Sequence, residues 1–318
     1  MEAKEKNSAM SALPRRNFLK WGGAGLLALP FITKVRLAYG NGSNLTSRKN
    51  YWKTNAEGKK YCVQKTVYDG EVSKGYIWAR VDGWWKRFQI RNLEETYWNW
   101  HFSEMLRSFE EQLSPEPYEY RAGGPHSPSV ASYGNRRGRG DSSFHLNSKI
   151  IGLSAVPTQE HLQEINETML RMIDEQVPFK SKVAWLKELH EQDIWRKELQ
   201  PGVEYFTTPE FETHTFLNLM ENPVATLCFQ GRYDIFKSFE IRCIAQIVDP
   251  RDPSVKAKAE LLEIVKFPAI LHGFYHNNVP EVPAVLYWPV EEFDNTVKEK
   301  PGQRLVRFFE KNVKNYFA

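Results

Sequence analysis

Thr213-His214-Thr215-Phe216-Leu217-Asn218-Leu219-Met220-Glu221-Asn222-Pro223, running into Val224-Ala225-Thr226-Leu227-Cys228-Phe229, is the stretch that decides how this chain folds. Residues 211–221 have the pattern of a short helix, and Asn222-Pro223 ends it. Proline has no N–H to continue the ladder and drives the residue before it toward extended geometry. Residues 224–229 are apolar and partly β-branched, so they read as a strand. A second strand precedes the helix at 203–208, and a third follows at 239–248, closed by Asp249-Pro250. A helix stopped by Asn-Pro and feeding an apolar strand is how a small barrel crosses one end. Strands 224–229 and 239–248 are therefore expected to be antiparallel neighbours, joined around Gly231 to Ser238.

Downstream, Ser254 is expected to cap a helix reaching about Phe267, residues 282–290 form a last strand, and 303–315 a terminal helix. Upstream, Pro201-Gly202 ends a helix expected over 181–199, and Thr158 caps another that stops at Pro178. Residues 114–150, rich in Pro, Gly, Ser and Arg, carry no strand pattern. Within them Arg136, Arg137 and Arg139 lie among glycines, a composition that wraps an anion or makes a solvated, partner-docking loop. A helix is expected from about Glu94 to Leu113, with Trp98, Phe102, Met105, Leu106, Phe109 and Leu113 on one face. Before it, residues 76–81 and 84–90 flank Asp82-Gly83, the turn chemistry of a tight β-hairpin. Trp78, Trp84, Trp85, Trp98, Trp100, Trp185 and Trp195 are read as core.

The order of these elements resembles the pyridoxamine 5′-phosphate oxidase-like split barrel, a flavin-binding family. Its pattern is a strand ending in Thr, then Ser-x-Lys-x-x-Asn-Leu-x-x-Asn-Pro-x-Val and a strand. Asn218, Leu219, Asn222 and Pro223 fall in register with it. Arg242-Cys243-Ile244-Ala245-Gln246-Ile247-Val248-Asp249 resembles the family's Arg-Gly-x-Ala-x-x-Val-Asp strand end. The resemblance implies an α+β fold: a split β-barrel with added helices and an N-terminal extension. It also implies an FMN phosphate held at the crossover, with Thr208, Thr213, His214, Thr215 and Arg242 as the candidate cofactor-binding residues. The chain departs from the family in three places. Thr215 stands where the family has its basic residue, Cys243 where glycine is common, and the run from Thr208 is one residue longer. Because the region before 203 reads as helix, the hairpin at 76–90 is the expected first strand pair, displaced by an insertion of about a hundred residues.

At the N-terminus, Pro14-Arg15-Arg16-Asn17-Phe18-Leu19-Lys20 precedes a modest, glycine-containing apolar segment at 21–32. The pattern resembles a twin-arginine export signal, and Ala38-Tyr39-Gly40 offers a cut after Gly40; a retained anchor is the minor alternative. The expected location is thus periplasmic or otherwise extracytoplasmic, with the Tat translocase as a partner. The organisation reads as signal (1–40), aromatic-rich hairpin and helix (41–118), loop (119–150), helical insertion (151–200), split-barrel core (201–300) and terminal helix (301–318).

Composition bounds what remains. At 41% hydrophobic and 14% aromatic the chain has ample core, and no stretch of the mature part is long and apolar enough to span a bilayer. The formal charge of +4 belongs in part to the signal, which argues against nucleic acid as a partner. Three cysteines allow at most one internal disulfide, and no Cys-x-x-Cys-His is present for covalent haem. His272 and His276 are four apart, a spacing that suits a metal or haem on a helix face. Gly273, Pro280 and Pro283 speak against a helix there, so two surface histidines are expected and no metal site. His214 is either a solvent-facing helix residue or a substitute cation at the crossover. Two functions are consistent with these features: an exported flavoprotein-like oxidoreductase, or a non-catalytic subunit co-exported with a redox enzyme. FMN is the cofactor the first implies, with haem or none as alternatives. Family barrels are often homodimers, and the resemblance implies that here.

Overall fold

A computed structural model describes residues 50–118, 123–134, 145–204, 207–296 and 303–306. The chain begins with two short paired strands, β1 (Trp52–Thr54) and β2 (Lys60–Cys62). A three-stranded sheet follows, of β3 (Val67–Tyr68), β4 (Tyr76–Val81) and β5 (Trp84–Gln89), and then α1 (Glu95–Leu113). Next come β6 (Ser129–Tyr133), β7 (Leu146–Ile150), α2 (Gln159–Asp174), α3 (Phe179–His190) and β8 (Gln200–Val203). The remainder is α4 (His214–Glu221), β9 (Val224–Gln230), β10 (Ser238–Val248), α5 (Pro253–Lys256), α6 (Ala259–His276), β11 (Ala284–Asp294) and β12 (Gln303–Val306).

The main sheet runs β12-β11-β10-β9-β6-β7, with β8 also on β11, and every pairing is antiparallel. β9 and β10 are neighbours as expected, with Phe239 opposite Phe229 and Arg242 opposite Thr226. Along the edge away from β10, β11 gives Ala284–Tyr287 to β8 and Glu292–Asp294 to β12. A register shift between Arg242 and Cys243 bends the β10–β11 ladder, as a bulge does. The result is a curled antiparallel sheet, a half-barrel, with helices around it: an α+β split barrel, as the resemblance implied.

The inside of the curl is apolar and closed by α1. Leu227, Phe229, Phe239 and Ile241 are buried, each such side chain contributing about 1.5–3 kcal/mol on transfer from water. The Tyr97 ring lies 5.3 Å from that of Phe229 and 5.4 Å from that of Phe239, in edge-on contacts. α1 is buried on more than the expected stripe. Trp98 and Phe109 are covered, but so are Tyr97, Trp100, Glu104 and Ser108 on the flank that meets the sheet.

Several expectations are corrected. The hairpin at Asp82-Gly83 forms, with φ of 52° and 88° at the turn, but it belongs to the separate β3-β4-β5 sheet. The barrel's first pair is β6–β7, with β6 hydrogen-bonded to β9, in a segment that had no strand pattern. Its outward residues, Ser129, Ala131, Tyr133, Leu146, Ser148 and Ile150, are small or polar as often as large and apolar, because β7 is a sheet edge exposed on one face. Only α2, α3 and their connections separate that pair from β8.

The helix expected over 181–199 starts earlier and ends at His190. Pro201-Gly202 lies inside β8, where proline is tolerated on an edge strand. Gly202 is required there, since a Cβ would stand 2.6 Å from the Gly152 carbonyl oxygen. Of the strand expected at 203–208, only Val203 is strand; Tyr205 and Phe206 lie outside the described residues, and Thr208 opens a turn with Phe211. Asp252, not Ser254, caps the downstream helix, and α6 continues through Pro268 and Gly273 to His276. Gln303–Val306 is strand rather than helix. The export signal, residues 135–144 of the arginine loop, and 307–315 of the expected terminal helix lie outside the described residues. Among the described residues no helix is long and apolar enough to cross a membrane.

Candidate functional site

The crossover is built on the N-terminus of α4. Thr213 is its N-cap, and the hydroxyl accepts the Phe216 N–H at 3.1 Å, satisfying one of the orphan donors of the first turn. The same hydroxyl donates to Glu204 Oε1 at 2.7 Å. Thr207 donates to the same oxygen at 3.1 Å and lies 3.1 Å from the Thr213 hydroxyl. Glu204 is 1% exposed and is fixed by its own N–H, which donates to the Pro283 carbonyl at 2.9 Å beside the start of β11. Across from it, Lys149 of β7 donates to both carboxylate oxygens, at 2.8 and 2.9 Å. A buried charge persists only when paired and hydrogen-bonded, and here an ammonium and two hydroxyls converge on one carboxylate.

The other predicted residues take different positions. Thr215 is 0% exposed, and its hydroxyl accepts from the Asn147 amide at 2.6 Å. Thr208 is exposed and its hydroxyl accepts the Phe211 N–H. His214 is the first residue of α4 and half-buried. Thr213, His214 and Thr215 are thus consecutive at the start of α4, while Thr208 lies in a separate turn closed on Phe211. Arg242 does not join them: it sits exposed on β10, ion-paired to Glu240 at 2.8 Å and Glu291 at 3.1 Å, over the Phe293 ring.

The motif asparagines act as staples. Asn218 donates to the Ser132 and His145 carbonyls at 3.1 and 3.2 Å, clamping α4 to β6 and to the residue just before β7. Asn222 Oδ1 accepts the Asp82 N–H at 3.0 Å, holding the turn of the separate β4–β5 hairpin against the barrel. At the far end of α4, side chains of Gln64 and Thr66 donate to the Leu219 and Met220 carbonyls. Sequence reasoning named Thr213 and Thr215 but missed Glu204, Thr207, Lys149 and Asn147. The signal for Glu204 was its place in an apolar strand pattern, Val203-Glu204-Tyr205; Lys149 and Asn147 sit in a segment read as loop.

Whether this crossover suits the phosphate of FMN can be judged from its donors. The ammonium and both hydroxyls that a phosphate needs are bonded to Glu204, and the carboxylate would repel a phosphate dianion at that position. Thr215 is too deeply buried to reach a ligand. The residues as arranged do not fit the group. Two open clefts, of ≈ 430 and ≈ 540 Å³, lie beside Trp195 and between α1 and Tyr233, and neither takes in a crossover residue.

Elsewhere, Cys62, Cys228 and Cys243 are all free thiols. Burial raises the Cys62 and Cys243 thiols well above the ordinary range, so neither is a thiolate nucleophile. His272 and His276 both lie on α6, a correction to the expectation that Gly273 breaks a helix there.

No protein-family model and no curated protein matches this chain. Among solved structures, similar ones include HupZ of Group A Streptococcus, at 9% identity over 56% of this chain and 90% of that one, with a TM-score of 0.29. An F420 reductase is 11% identical, with 56% and 98% of the two chains covered and a TM-score of 0.26. A pyridoxamine 5′-phosphate oxidase-related, FMN-binding protein from Nostoc punctiforme is 6% identical, with 56% and 78% covered and a TM-score of 0.31.

Proposed function

We propose that this chain is a non-catalytic split-barrel subunit, exported by the twin-arginine route and assembled with a redox partner. The observation that carries the proposal is the pairing of Glu204 with Lys149, Thr207 and Thr213, which fills the family's phosphate crossover with a side chain of the protein itself. A second observation agrees with it. Tyr133, Leu146 and Ile150 on the β6–β7 hairpin are exposed, the last two at 67% and 66%, and exposed apolar surface on a sheet edge is what a docking subunit offers. A second copy of the chain is the occupant for a homodimer, and the redox enzyme for a hetero-complex.

The flavoprotein-like oxidoreductase reading is favoured by one specific feature. Lys149 brings a cation to the crossover from β7, where Thr215 has none to give. For FMN to bind there, Glu204 must release that cation. When bound, the flavin would supply the redox chemistry, and Lys149, Thr207 and Thr213 are the residues that would hold its phosphate. An absorption spectrum of the purified chain and a titration with FMN separate the two readings. The subunit reading expects no flavin bands and no saturable binding. A stoichiometric flavin, or a Soret band from haem, would overturn it.

A further inference from the structure

α6 carries a histidine pair that the fold puts to use. His272 and His276 are one turn apart on the same face, the arrangement in which side chains at i and i+4 meet. Their ring centroids are 4.5 Å apart with planes tilted by 40°, close enough for both imidazoles to reach one ion at metal–nitrogen distances of about 2.0–2.1 Å. Both residues are half-buried, not enclosed, so an ion has access from solvent. The last turn that carries His276 is held from three sides. Asn277 ends the helix in the left-handed conformation at φ 53°. Lys182 of α3 donates to the Phe274 carbonyl at 3.0 Å and to Asn277 Oδ1 at 2.6 Å. The chain after the helix folds back onto Gly273, where a Cβ would stand 2.6 Å from the Val279 side chain. Gly273 is therefore a packing requirement and not a helix breaker, and the pair sits on a fixed scaffold of the kind that lowers the entropy cost of chelation.

We propose that His272 and His276 form a bidentate site for a late first-row divalent ion, with Cu²⁺ bound ahead of Ni²⁺ and Zn²⁺. Imidazole suits these ions, and their order of affinity is general for nitrogen ligands. The helix C-terminus, where His276 lies, favours positive charge. No group of three or more His, Cys, Asp or Glu placed to hold a metal exists among the described residues, so water fills the remaining coordination positions.

The test uses the full chain, stripped of metal by a chelator, in a Cys228→Ser background that removes the one exposed thiol. Cu²⁺, Ni²⁺, Zn²⁺ and Mg²⁺ are titrated separately, with Tm and, for Cu²⁺, electron paramagnetic resonance as readouts. The expected result is one equivalent of saturable Cu²⁺ binding with nitrogen hyperfine structure, a raised Tm, and no response to Mg²⁺. His272→Ala and His276→Ala should each abolish it. His272→Gln and His276→Gln repeat the test if either alanine variant has a lowered metal-free Tm. Retention of one-equivalent binding in either single variant that is folded, or its absence from the parent, overturns the proposal.

Discussion

The ammonium of Lys149 lies 2.8 and 2.9 Å from the two carboxylate oxygens of Glu204, tying the edge strand β7 to the segment that leads into α4. Glu204 is buried to 1% exposure while the Lys149 side chain keeps 26%, so the two partners do not lose the same thing on deletion. Removing Lys149 strands a buried carboxylate with only two hydroxyls, and breaking a buried pair from one side costs about 3–5 kcal/mol. Lys149→Met should therefore destabilise by about 3 kcal/mol in urea unfolding, toward the lower end because the lysine is partly solvated. Glu204→Gln removes the buried charge while its amide oxygen can still accept the threonine hydroxyls, and should cost less than Lys149→Met. Equal losses would mean that the pair is a surface contact without a buried member.

The same substitution probes the crossover chemically. In Glu204→Gln, Lys149 has no carboxylate to hold it and Thr213 keeps its cap bond to Phe216. The Lys149 cation is then available for an anion, since the amide oxygen still accepts the two threonine hydroxyls but carries no charge, and a charge-assisted hydrogen bond of about 1.5–3 kcal/mol corresponds to roughly tenfold to hundredfold in affinity. FMN binding measured by fluorescence quenching should be stronger in Glu204→Gln than in the parent by that factor. No gain in the variant would mean that Glu204 is not what closes the site.

Asn218 offers a test of the motif itself. Its amide serves two carbonyls, Ser132 on β6 and His145 just before β7. Alanine leaves both acceptors and opens space beside Gly134, where even a Cβ would stand 2.9 Å from the Asn218 oxygen. The expected loss is about 1–3 kcal/mol, the cost of taking the side-chain donor from one buried acceptor, the Ser132 carbonyl, since the exposed His145 carbonyl keeps the Gly134 N–H at 3.0 Å. Asn218→Asp should be at least as damaging, because a carboxylate cannot donate to either carbonyl. Amide exchange should locate the loosening in β6 and β7; uniform loosening across β10 and β11 would point to a global effect instead.

These three residues also show what the sequence made legible. The stop at Asn222-Pro223 and the apolar runs on either side were visible because they follow from backbone chemistry local to a few residues. The β9–β10 neighbours and the turn at Asp82-Gly83 follow for the same reason. Strand β7 was not visible, since Leu146-Asn147-Ser148-Lys149-Ile150 has apolar residues on its exposed face and polar ones turned toward Glu204 and Thr215. Its alternation is inverted relative to an ordinary half-buried strand. With β7 missed, the hairpin at 76–90 had to serve as the first pair. Helix α6 was cut short for a related reason: Gly273 is there for Val279, six residues on, and propensity alone reads it as a break.

Export is testable independently of the fold. Replacing Arg15 and Arg16 together by lysine keeps the charge of the segment but removes the guanidinium pair that the twin-arginine signature requires. The double variant should remain in the cytoplasm, as followed by fractionation and by the mass of the N-terminus. Normal secretion of the variant would refute this route.

Glu292 provides a pH-dependent signature of the core. It is 0% exposed on β11, one carboxyl oxygen accepts the Glu94 N–H at 2.9 Å, and the other has no hydrogen-bond partner among the described residues. Burial raises its pKa from the usual range to about 7, with the charges of Glu94 and Asp294 adding and the Glu94 N–H opposing. The folded state thus holds a proton that the unfolded chain gives up near pH 4.5. Between that pH and about 7 the unfolded state binds fewer protons, so this group makes stability fall as pH rises, and its contribution levels off above 7. The span corresponds to roughly 3 kcal/mol at 1.36 kcal/mol per unit. Buried His126 and His190, both pulled down to about 4 by burial, act in the opposite direction, because they must charge on unfolding below about 6.5. The parent's own profile therefore mixes the two. The difference between Glu292→Gln and the parent isolates the glutamate, since the amide oxygen keeps the Glu94 bond and cannot ionise. That difference should move in favour of the variant by about 3 kcal/mol between pH 4.5 and 8 in urea unfolding. A difference that stays flat over this range would mean that Glu292 is ionised in the folded protein at neutral pH and paired with a group other than Glu94.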